Sequence, residues 1–175
     1  MIYSPKEDSY LLAEQVKICA KNKSVLDIGT GSGILARTAK DAEAKSVSAS
    51  DINSEAVNEA KKSGIKAVKS DLFKKVTGKF DLIVFNPPYL PKDKREDKES
   101  AQATTGGNKG DEIILRFLKQ AAKHLNKDGI ILLLVSSLTP MKRINALIKK
   151  LSLQNTMMAS KKLFFEELFV YKITT

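Results

Sequence analysis

The stretch SVLDIGTGSGILARTAK, residues 24–40, contains an apolar strand, a glycine-rich turn and a helix pattern in direct succession. Strand, glycine loop and helix in this order form the nucleotide-binding entry of a doubly wound sheet. A dinucleotide fingerprint would place its third glycine at position 34, which is Ile34, whereas the third glycine comes one residue early, at Gly33. The loop therefore allows a ligand to approach the backbone closely but departs from the NAD pattern.

An acid follows the next strand pattern. Residues 46–50, SVSAS, lead into Asp51, which lies 22 residues after Gly29. A carboxylate at that distance is placed to accept hydrogen bonds from both hydroxyls of a ribose.

A third signal is Asn86-Pro87-Pro88-Tyr89, which follows the apolar run 80–85. An amino group on a planar carbonyl or ring has two N–H donors, so holding it in place requires two fixed acceptors. The Asn86 side-chain oxygen and the Pro87 carbonyl are suited to this, since consecutive prolines cannot continue a sheet ladder. Tyr89 offers a flat face for stacking on a planar amide or base. A plain proline-rich turn after a strand is the alternative interpretation.

The chain alternates strand and helix patterns without internal repeats, which predicts parallel strands with helices on both faces. The glycine loop 29–33 follows the first predicted strand, and the motif 86–89 follows the fourth. The two motifs should face one crevice if those strands are neighbours at the topological switch point. The predicted helices are 8–21, 33–41, 53–62, 110–125 and 141–151, and the predicted strands are 24–28, 46–51, 65–69, 80–85, 130–136, 155–160 and 165–173.

Together these motifs resemble the class I S-adenosylmethionine-dependent methyltransferases, and more narrowly the HemK-type protein-glutamine methyltransferases in their short archaeal and eukaryotic branch. The resemblance covers nearly the whole chain. It is carried by YSPKEDS (3–9), the loop 25–33, SDLF (70–73), NPPY (86–89) and GGNKGD (106–111). The NPPY element alone is shared with enzymes that methylate exocyclic amines of adenine or guanine.

The resemblance implies a single-domain α/β fold over residues 1–175 with a seven-stranded sheet of order 3-2-1-4-5-7-6 and its last strand antiparallel. Residues 1–23 would form a helical element that closes over the cofactor, and residues 90–108 a substrate loop. The implied cofactor is S-adenosylmethionine, with Asp27 at its methionine end, Asp51 at its ribose and Asp71 at its adenine. The full cofactor set implied by the resemblance is Asp8, Ser9, Asp27, Gly29, Gly31, Gly33, Asp51, Ile52, Asp71, Leu72 and Asn86.

The methyl acceptor would be held by Asn86, Pro87, Pro88 and Tyr89, of which Asn86, Pro87 and Tyr89 are the candidate catalytic residues. The branch methylates the glutamine of the Gly-Gly-Gln motif in class I release factors, usually with a small zinc-binding activator protein, so the resemblance implies both as partners. Each acid also has an alternative role as a helix cap or turn residue. His124 lies near a predicted helix end, which makes a histidine base at the motif improbable.

The net charge of +10 is compatible with a polyanionic partner such as RNA, and equally with lysines spread over solvated faces. One cysteine, Cys19, excludes an intrachain disulfide. No signal-peptide pattern begins the chain, and the apolar run 130–135 is too short to cross a bilayer, so the expected location is cytoplasmic.

The irregular stretch from about 90 to 105 follows Tyr89 directly and is predicted to grip the substrate, with a plain solvated loop as the alternative. Three functions therefore stay open: protein-glutamine methylation, methylation of an exocyclic amine in RNA or DNA, and a non-catalytic cofactor-binding module for protein interaction.

Overall fold

A computed structural model of the chain describes residues 4–89 and 105–175. The described residues form five α-helices, one 3₁₀ helix and seven strands. The α-helices are α1 Glu7–Cys19, α2 Ile34–Asp41, α3 Ser54–Lys62, α4 Glu112–Ala121 and α5 Met141–Lys150, and the 3₁₀ helix is Ala122–His124. The strands are β1 Ser24–Ile28, β2 Ser46–Asp51, β3 Lys66–Lys69, β4 Phe80–Phe85, β5 Leu125–Ser136, β6 Gln154–Lys162 and β7 Glu167–Thr174.

The seven strands form one sheet in the order β3-β2-β1-β4-β5-β7-β6, which confirms the predicted topology. Strands β1 to β5 are parallel to one another, whereas β7 is antiparallel to both β5 and β6. Strands β1 and β4 pair directly, with Ile28 opposite Phe85. Both ligand motifs therefore leave the same edge of the sheet from adjacent strands, as a topological switch point requires.

Alternate residues of the central strands point to opposite faces, as strand geometry dictates. On one face Leu26, Ile83 and Leu133 pack with residues of α4 and α5. On the other face Val25 and Leu82 pack with residues of α1 and α2. Helices on both faces are thus confirmed, and the apolar strands are buried between two layers.

Strand β5 differs from its prediction, because it begins at Leu125 and the helix predicted over 110–125 already ends at Ala121. The polar residues 126–129 look like a loop in the sequence. They join β5 because Leu125 pairs with Phe80, and the register then shifts before Leu82 pairs with Ile130. Gly129 permits this irregularity, since a Cβ there would lie 3.0 Å from the Phe80 carbonyl oxygen.

One carboxylate joins three strands at the edge opposite the ligand motifs. Asp81 Oδ2 accepts hydrogen bonds of 2.8 Å from both the backbone N–H and the hydroxyl of Ser24, and Oδ1 accepts one of 2.7 Å from Asn126. The Ser24 backbone bond is the largest cause that lowers the pKa of Asp81, and the Asn126 bond comes next. The starts of β1, β4 and β5 are therefore fixed by one ionised side chain.

Within the described ranges, the structure has no helix that is both long and apolar enough to cross a membrane.

Candidate active site

The glycine loop between β1 and α2 is shaped by hydrogen bonds to β2. The backbone N–H groups of Gly29 and Thr30 both donate to the Ser50 carbonyl, at 2.8 and 3.0 Å. Gly29 has φ +66° and Gly31 φ +51°, in the left-handed region that favours glycine. The loop thus turns sharply over the edge of the sheet and presents backbone rather than side chains, which suits close approach of a ligand.

Asp51 fixes the same loop from the end of β2. Its Oδ2 accepts a 2.8 Å bond from the Gly31 N–H, and its Oδ1 accepts a 2.8 Å bond from the Asn53 N–H. A carboxylate has about four lone-pair positions, so two acceptor positions remain for ribose hydroxyls. The structure therefore places Asp51 between the glycine loop and the start of α3, and its predicted ribose contact stays a prediction.

Asp27 is fully buried at the end of β1, below the glycine loop. Its Oδ2 accepts a 2.7 Å bond from the Thr30 hydroxyl, whereas Oδ1 has no hydrogen-bond partner among the residues that the structure describes. Burial raises the pKa of Asp27 to about 7, and the nearby Asp51 adds to the rise. A buried carboxylate oxygen without a hydrogen-bond donor is suited to bind a cation, such as the ammonium group at the methionine end of the cofactor.

The turn after β3 lies next to Asp51, because the Ser70 N–H donates to the Asp51 carbonyl at 2.8 Å. In this turn Asp71 forms a 2.6 Å ion pair with Arg116, and Leu72 is buried with φ +49°. Ile52, which follows Asp51 in the sequence, is about half exposed, so its side chain is accessible to a ligand. The Arg116 partner of Asp71 was not anticipated, so the predicted contact of Asp71 with adenine competes with an ion pair.

Asn86 is held by the first turn of α1. Its amide Nδ2 donates to Asp8 Oδ2 at 3.0 Å and lies 3.4 Å from the Ser9 hydroxyl. A carboxylate only accepts hydrogen bonds, so the amide NH2 must face Asp8 and the amide oxygen must face away. That oxygen, Oδ1, is buried and has no hydrogen-bond partner among residues 4–89 and 105–175. The arrangement leaves a directed acceptor in a site that lacks a donor.

The rest of the motif surrounds this acceptor. Pro87 is buried, and Pro88 and Tyr89 are half-buried. Burial raises the pKa of the Tyr89 phenol, and the nearby carboxylates Glu166 and Asp8 raise it further, so Tyr89 is neutral at physiological pH. A neutral aromatic ring next to Asn86 is compatible with the predicted stacking on a planar amide.

The segment Gly106–Asp111 packs against the back of the motif. A Cβ on Gly106 would lie 2.6 Å from the Pro88 carbonyl oxygen and 2.3 Å from the Gly110 carbonyl oxygen, distances that real side chains do not tolerate. The Gly106 carbonyl accepts a 3.1 Å bond from Ile113 in α4. Glycine is therefore required at position 106 by close approach of two backbones.

Asp111 follows this segment and is completely buried at the start of α4, 3.3 Å from the Arg143 guanidinium of α5. The pair does not satisfy hydrogen-bond geometry, since neither Asp111 oxygen has a hydrogen-bond partner in the described part of the chain. The ion pair nevertheless connects the two helices behind the glycine segment.

The predicted site residues thus form two groups. Asp27, Asp51, Ile52, Asp71 and Leu72 lie with the glycine loop at the ends of β1, β2 and β3. Asp8 and Ser9 lie against Asn86. Residues 90–104 of the predicted substrate loop 90–108 lie outside the described residues, so the role of this loop stays a prediction. The closing role of residues 1–23 also stays a prediction.

Sequence reasoning missed three supports of the motif: the Asp8–Asn86 bond, the Gly106–Pro88 contact and Glu166 near Tyr89. A signal for the second was the GG pair at 106–107, since adjacent glycines indicate close backbone approach. His124 lies away from the motif, with Nδ1 3.0 Å from the Gly78 carbonyl and its ring stacked on Phe73. Residues 4–89 and 105–175 contain no group of three or more His, Cys, Asp or Glu side chains placed to hold a metal ion.

Comparison with known proteins gives a consistent result. Residues 6–165 match the methyltransferase small domain family. The chain is 41% identical over 177 residues to a putative protein N5-glutamine methyltransferase of Methanocaldococcus jannaschii, covering 97% of this chain and 89% of that protein. It is 36% identical to a release factor glutamine methyltransferase of Lactococcus lactis over 70% of this chain, and it spans about half, 50%, of that bacterial relative.

Among solved structures, the chain is similar to the E. cuniculi Mtq2–Trm112 complex, which is described as responsible for methylating the translation termination factor eRF1. The TM-score is 0.80 at 26% identity, and the match covers 98% of this chain and 97% of that one. The similarity therefore extends over the complete sheet and both helical layers.

Proposed function

From the premise that this chain belongs to the HemK-type S-adenosylmethionine-dependent methyltransferases of the methyltransferase small domain family, we propose that it methylates the side-chain amide nitrogen of a protein glutamine. The relative of 41% identity is named for this chemistry and is nearly the same length as this chain. We further propose that the target glutamine lies in the Gly-Gly-Gln motif of a class I release factor, because the bacterial relative and the Mtq2–Trm112 complex both act on termination factors.

The observation that supports the acceptor chemistry is the orphaned amide oxygen of Asn86. A buried acceptor without a donor costs free energy, of the order of 1–3 kcal/mol, that an incoming amide N–H would recover. Since Asp8 accepts from the Asn86 NH2 group, the oxygen cannot rotate away from this position without losing a charge-assisted bond.

The cofactor is expected over the glycine loop, with Asp27 at its ammonium group and Asp51 at its ribose, and it supplies an electrophilic methyl group on a sulfonium. Asn86 Oδ1 and the Pro87 carbonyl would accept the two N–H bonds of the glutamine amide, which turns its nitrogen toward the methyl group. The neutral Tyr89 ring would cover the flat amide. An N–CH3 bond would form as the S–CH3 bond breaks, which would leave S-adenosylhomocysteine as a neutral thioether, and the nitrogen would lose one proton to solvent. Orientation of this kind is worth about 7–11 kcal/mol in well-aligned reactions.

We also propose that a small zinc-binding protein forms a heterodimer with this chain. The support is the similarity to the Mtq2–Trm112 complex along the full chain. The chain has one cysteine and one histidine, so a zinc site built from thiolates and imidazoles would belong to the partner.

The test is methyl transfer from labelled S-adenosylmethionine to a panel of acceptors, with and without the partner protein. A class I release factor, a transfer RNA and a duplex DNA are offered in parallel, and the modified residue is located by mass spectrometry of peptides. The expected result is one methyl group on the glutamine amide of the Gly-Gly-Gln motif.

A release factor in which that glutamine is replaced by alanine is the matched control and should accept no label. Label on transfer RNA or DNA with none on the release factor would instead identify an exocyclic-amine methyltransferase. Cofactor binding without transfer to any acceptor, in the presence of the partner, would support a non-catalytic module.

A further inference from the structure

Two adjacent phenylalanines are almost fully exposed at the turn between β6 and β7. Phe164 is 90% exposed and Phe165 88% exposed, and their rings contact each other edge to face with centroids 4.6 Å apart. Leu138, in the loop after β5, is also about half exposed. Isolated exposed apolar residues are common, but two neighbouring aromatic rings in solvent indicate a contact surface.

The turn projects beyond the edge of the sheet at which the acceptor motif lies. The last pair between β4 and β5 is Phe85–Leu133, just before Asn86. Strand β5 continues three residues further to Ser136, paired with Leu168 of β7, which is about 10 Å of additional strand. Lys162 of β6 pairs with Glu167 at the same level. The Phe164–Phe165 turn therefore stands above the acceptor motif at one side of the crevice.

This turn is held in place by hydrogen bonds. Glu166 accepts a short hydrogen bond from the Ser136 hydroxyl, and its carbonyl accepts a 2.7 Å bond from the Leu163 N–H. The Ser137 N–H donates to the Glu167 carbonyl at 2.8 Å. A fixed turn loses little conformational entropy when its rings meet a partner, which favours binding.

The turn is also continuous with the acceptor site. Leu163 and Tyr89 both pack on the apolar cluster beneath α1, and the Glu166 carboxylate acts electrostatically on the Tyr89 phenol. Lys161 forms an ion pair with Glu7, the residue before Asp8, so the hairpin is connected to the helix that orients Asn86. Packing and charge contacts therefore connect the acceptor motif with the turn that carries the exposed rings.

We propose that Phe164 and Phe165 form the docking point for an apolar patch of the folded release factor that presents the target glutamine. The inference rests on the proposed function and adds the surface that selects an intact protein over a short peptide. Aromatic side chains are the commonest residues that dominate binding at protein interfaces.

The test compares the enzyme carrying both Phe164→Ser and Phe165→Ser with the wild type, each in complex with the partner protein. Binding of intact release factor is measured by fluorescence anisotropy, and methyl transfer is measured on that protein and on a short Gly-Gly-Gln peptide. The expected result is binding weakened about tenfold or more, a matching rise in KM for the intact protein, and peptide turnover within about twofold of wild type.

Two controls isolate the aromatic contact. Phe164→Leu with Phe165→Leu keeps apolar surface and should retain most of the binding. Ile18→Ser removes another exposed apolar side chain, which is 70% exposed. Ile18 lies ten residues after Asp8 in α1, about 15 Å along the helix, so this substitution should leave release-factor binding unchanged.

Unchanged binding of release factor by the serine variant would overturn the proposal, as would an equal loss on protein and peptide. The proposal would also be overturned if the serine variant still bound release factor but no longer bound the partner protein. The same holds if it still bound release factor but no longer bound lipid vesicles or RNA that the wild type binds. A wild-type enzyme that binds release factor through the rings but never methylates it would contradict the proposed function instead.

Discussion

Two parts of the crevice are stabilised in different ways. We call the glycine loop 29–33 with Asp51 the donor half, and the motif 86–89 the acceptor half. Around the glycine loop, the contacts join residues that are neighbours on adjacent strands, and the loop's hydrogen bonds end on Ser50 and Asp51 of β2. Around Asn86, the supports come from distant parts of the chain: Asp8, 78 residues earlier, and Gly106, 20 residues later and near the end of the predicted substrate loop. The donor half is a local motif, whereas the acceptor half is assembled by the tertiary fold.

Because the two halves are stabilised by different contacts, substitutions in them should affect different measured quantities. Substitutions near the glycine loop should change the affinity for the cofactor. Substitutions that displace the acceptor motif should reduce turnover and leave that affinity nearly intact, because Asp8 and Gly106 contact Asn86 and Pro88 of that motif.

The strongest test of the separation is Asn86→Ala. It removes the amide oxygen that we propose holds the acceptor, so turnover should fall by about 10²–10³-fold, as when one preorganised hydrogen-bonding group is lost from an active site. The dissociation constant for S-adenosylmethionine, measured by calorimetry, should stay within a few-fold. Since the resemblance also assigns Asn86 to the cofactor, a large loss of affinity with normal turnover would move it to the donor half.

Gly106→Ala should have the next largest effect. The new Cβ would collide with the Pro88 carbonyl and push the motif out of place, and a displacement of about 1 Å can cost about 100-fold in rate. Turnover is measured together with the thermal midpoint. Gly78→Ala is the matched control: its φ of +89° disfavours alanine by about 1–3 kcal/mol, but no atom lies within 4 Å of the new Cβ. The control should lose stability and keep its turnover, and equal turnover losses in both would refute the positioning role of Gly106.

Asp8→Ala should reduce turnover by about tenfold, because Asn86 would lose one charge-assisted bond and its amide could rotate. Asp8 has two predicted roles, because it orients Asn86 and the resemblance also places it over the methionine moiety of the cofactor. Single-turnover rates report the first role, and cofactor affinity reports the second. We expect the rate to fall and the affinity to change less. Ser9→Ala removes the weaker 3.4 Å contact with Asn86 and the 3.3 Å bond from the Ser9 hydroxyl to Asp8 Oδ1, but it keeps the Asp8–Asn86 bond and therefore serves as the control.

Cofactor binding should depend on pH through Asp27, whose pKa is raised to about 7 by burial. The cofactor ammonium favours the ionised carboxylate, so affinity should be about tenfold weaker at pH 6 than at pH 8, measured by calorimetry. In the unliganded protein the sign is opposite: the folded pKa exceeds the unfolded value of 3.8, so stability falls as pH rises from about 4 to 7. Asp27→Asn should make cofactor affinity and stability depend less on pH, and it should weaken cofactor binding. If this variant kept a steep pH dependence, the dependence would have to come from another titrating group.

The sequence was sufficient for the donor half because strand, glycine loop and acid follow one another within about 30 residues and obey local rules of turn and strand. The strand order and the position of NPPY beside the loop came from the family resemblance and were confirmed. The start of β5 at Leu125 was missed, since Asn126, Asp128 and Gly129 have loop preferences that pairing with β4 overrides. The contacts of Asp8 and Gly106 with the motif could not be predicted, because no local pattern specifies which distant backbone a small or acidic residue will meet.

The Asp81 contacts with Ser24 and Asn126 have a consequence for acid denaturation. The folded pKa of Asp81 is depressed, so its contribution to stability is complete above the ordinary aspartate range and is lost as pH falls through the folded value. Protonation would release the starts of β1, β4 and β5 from one another. Acid should therefore begin to separate the central strands at the end remote from methyl transfer, and amide exchange at Ser24 and Asp81 should accelerate before exchange in the glycine loop does.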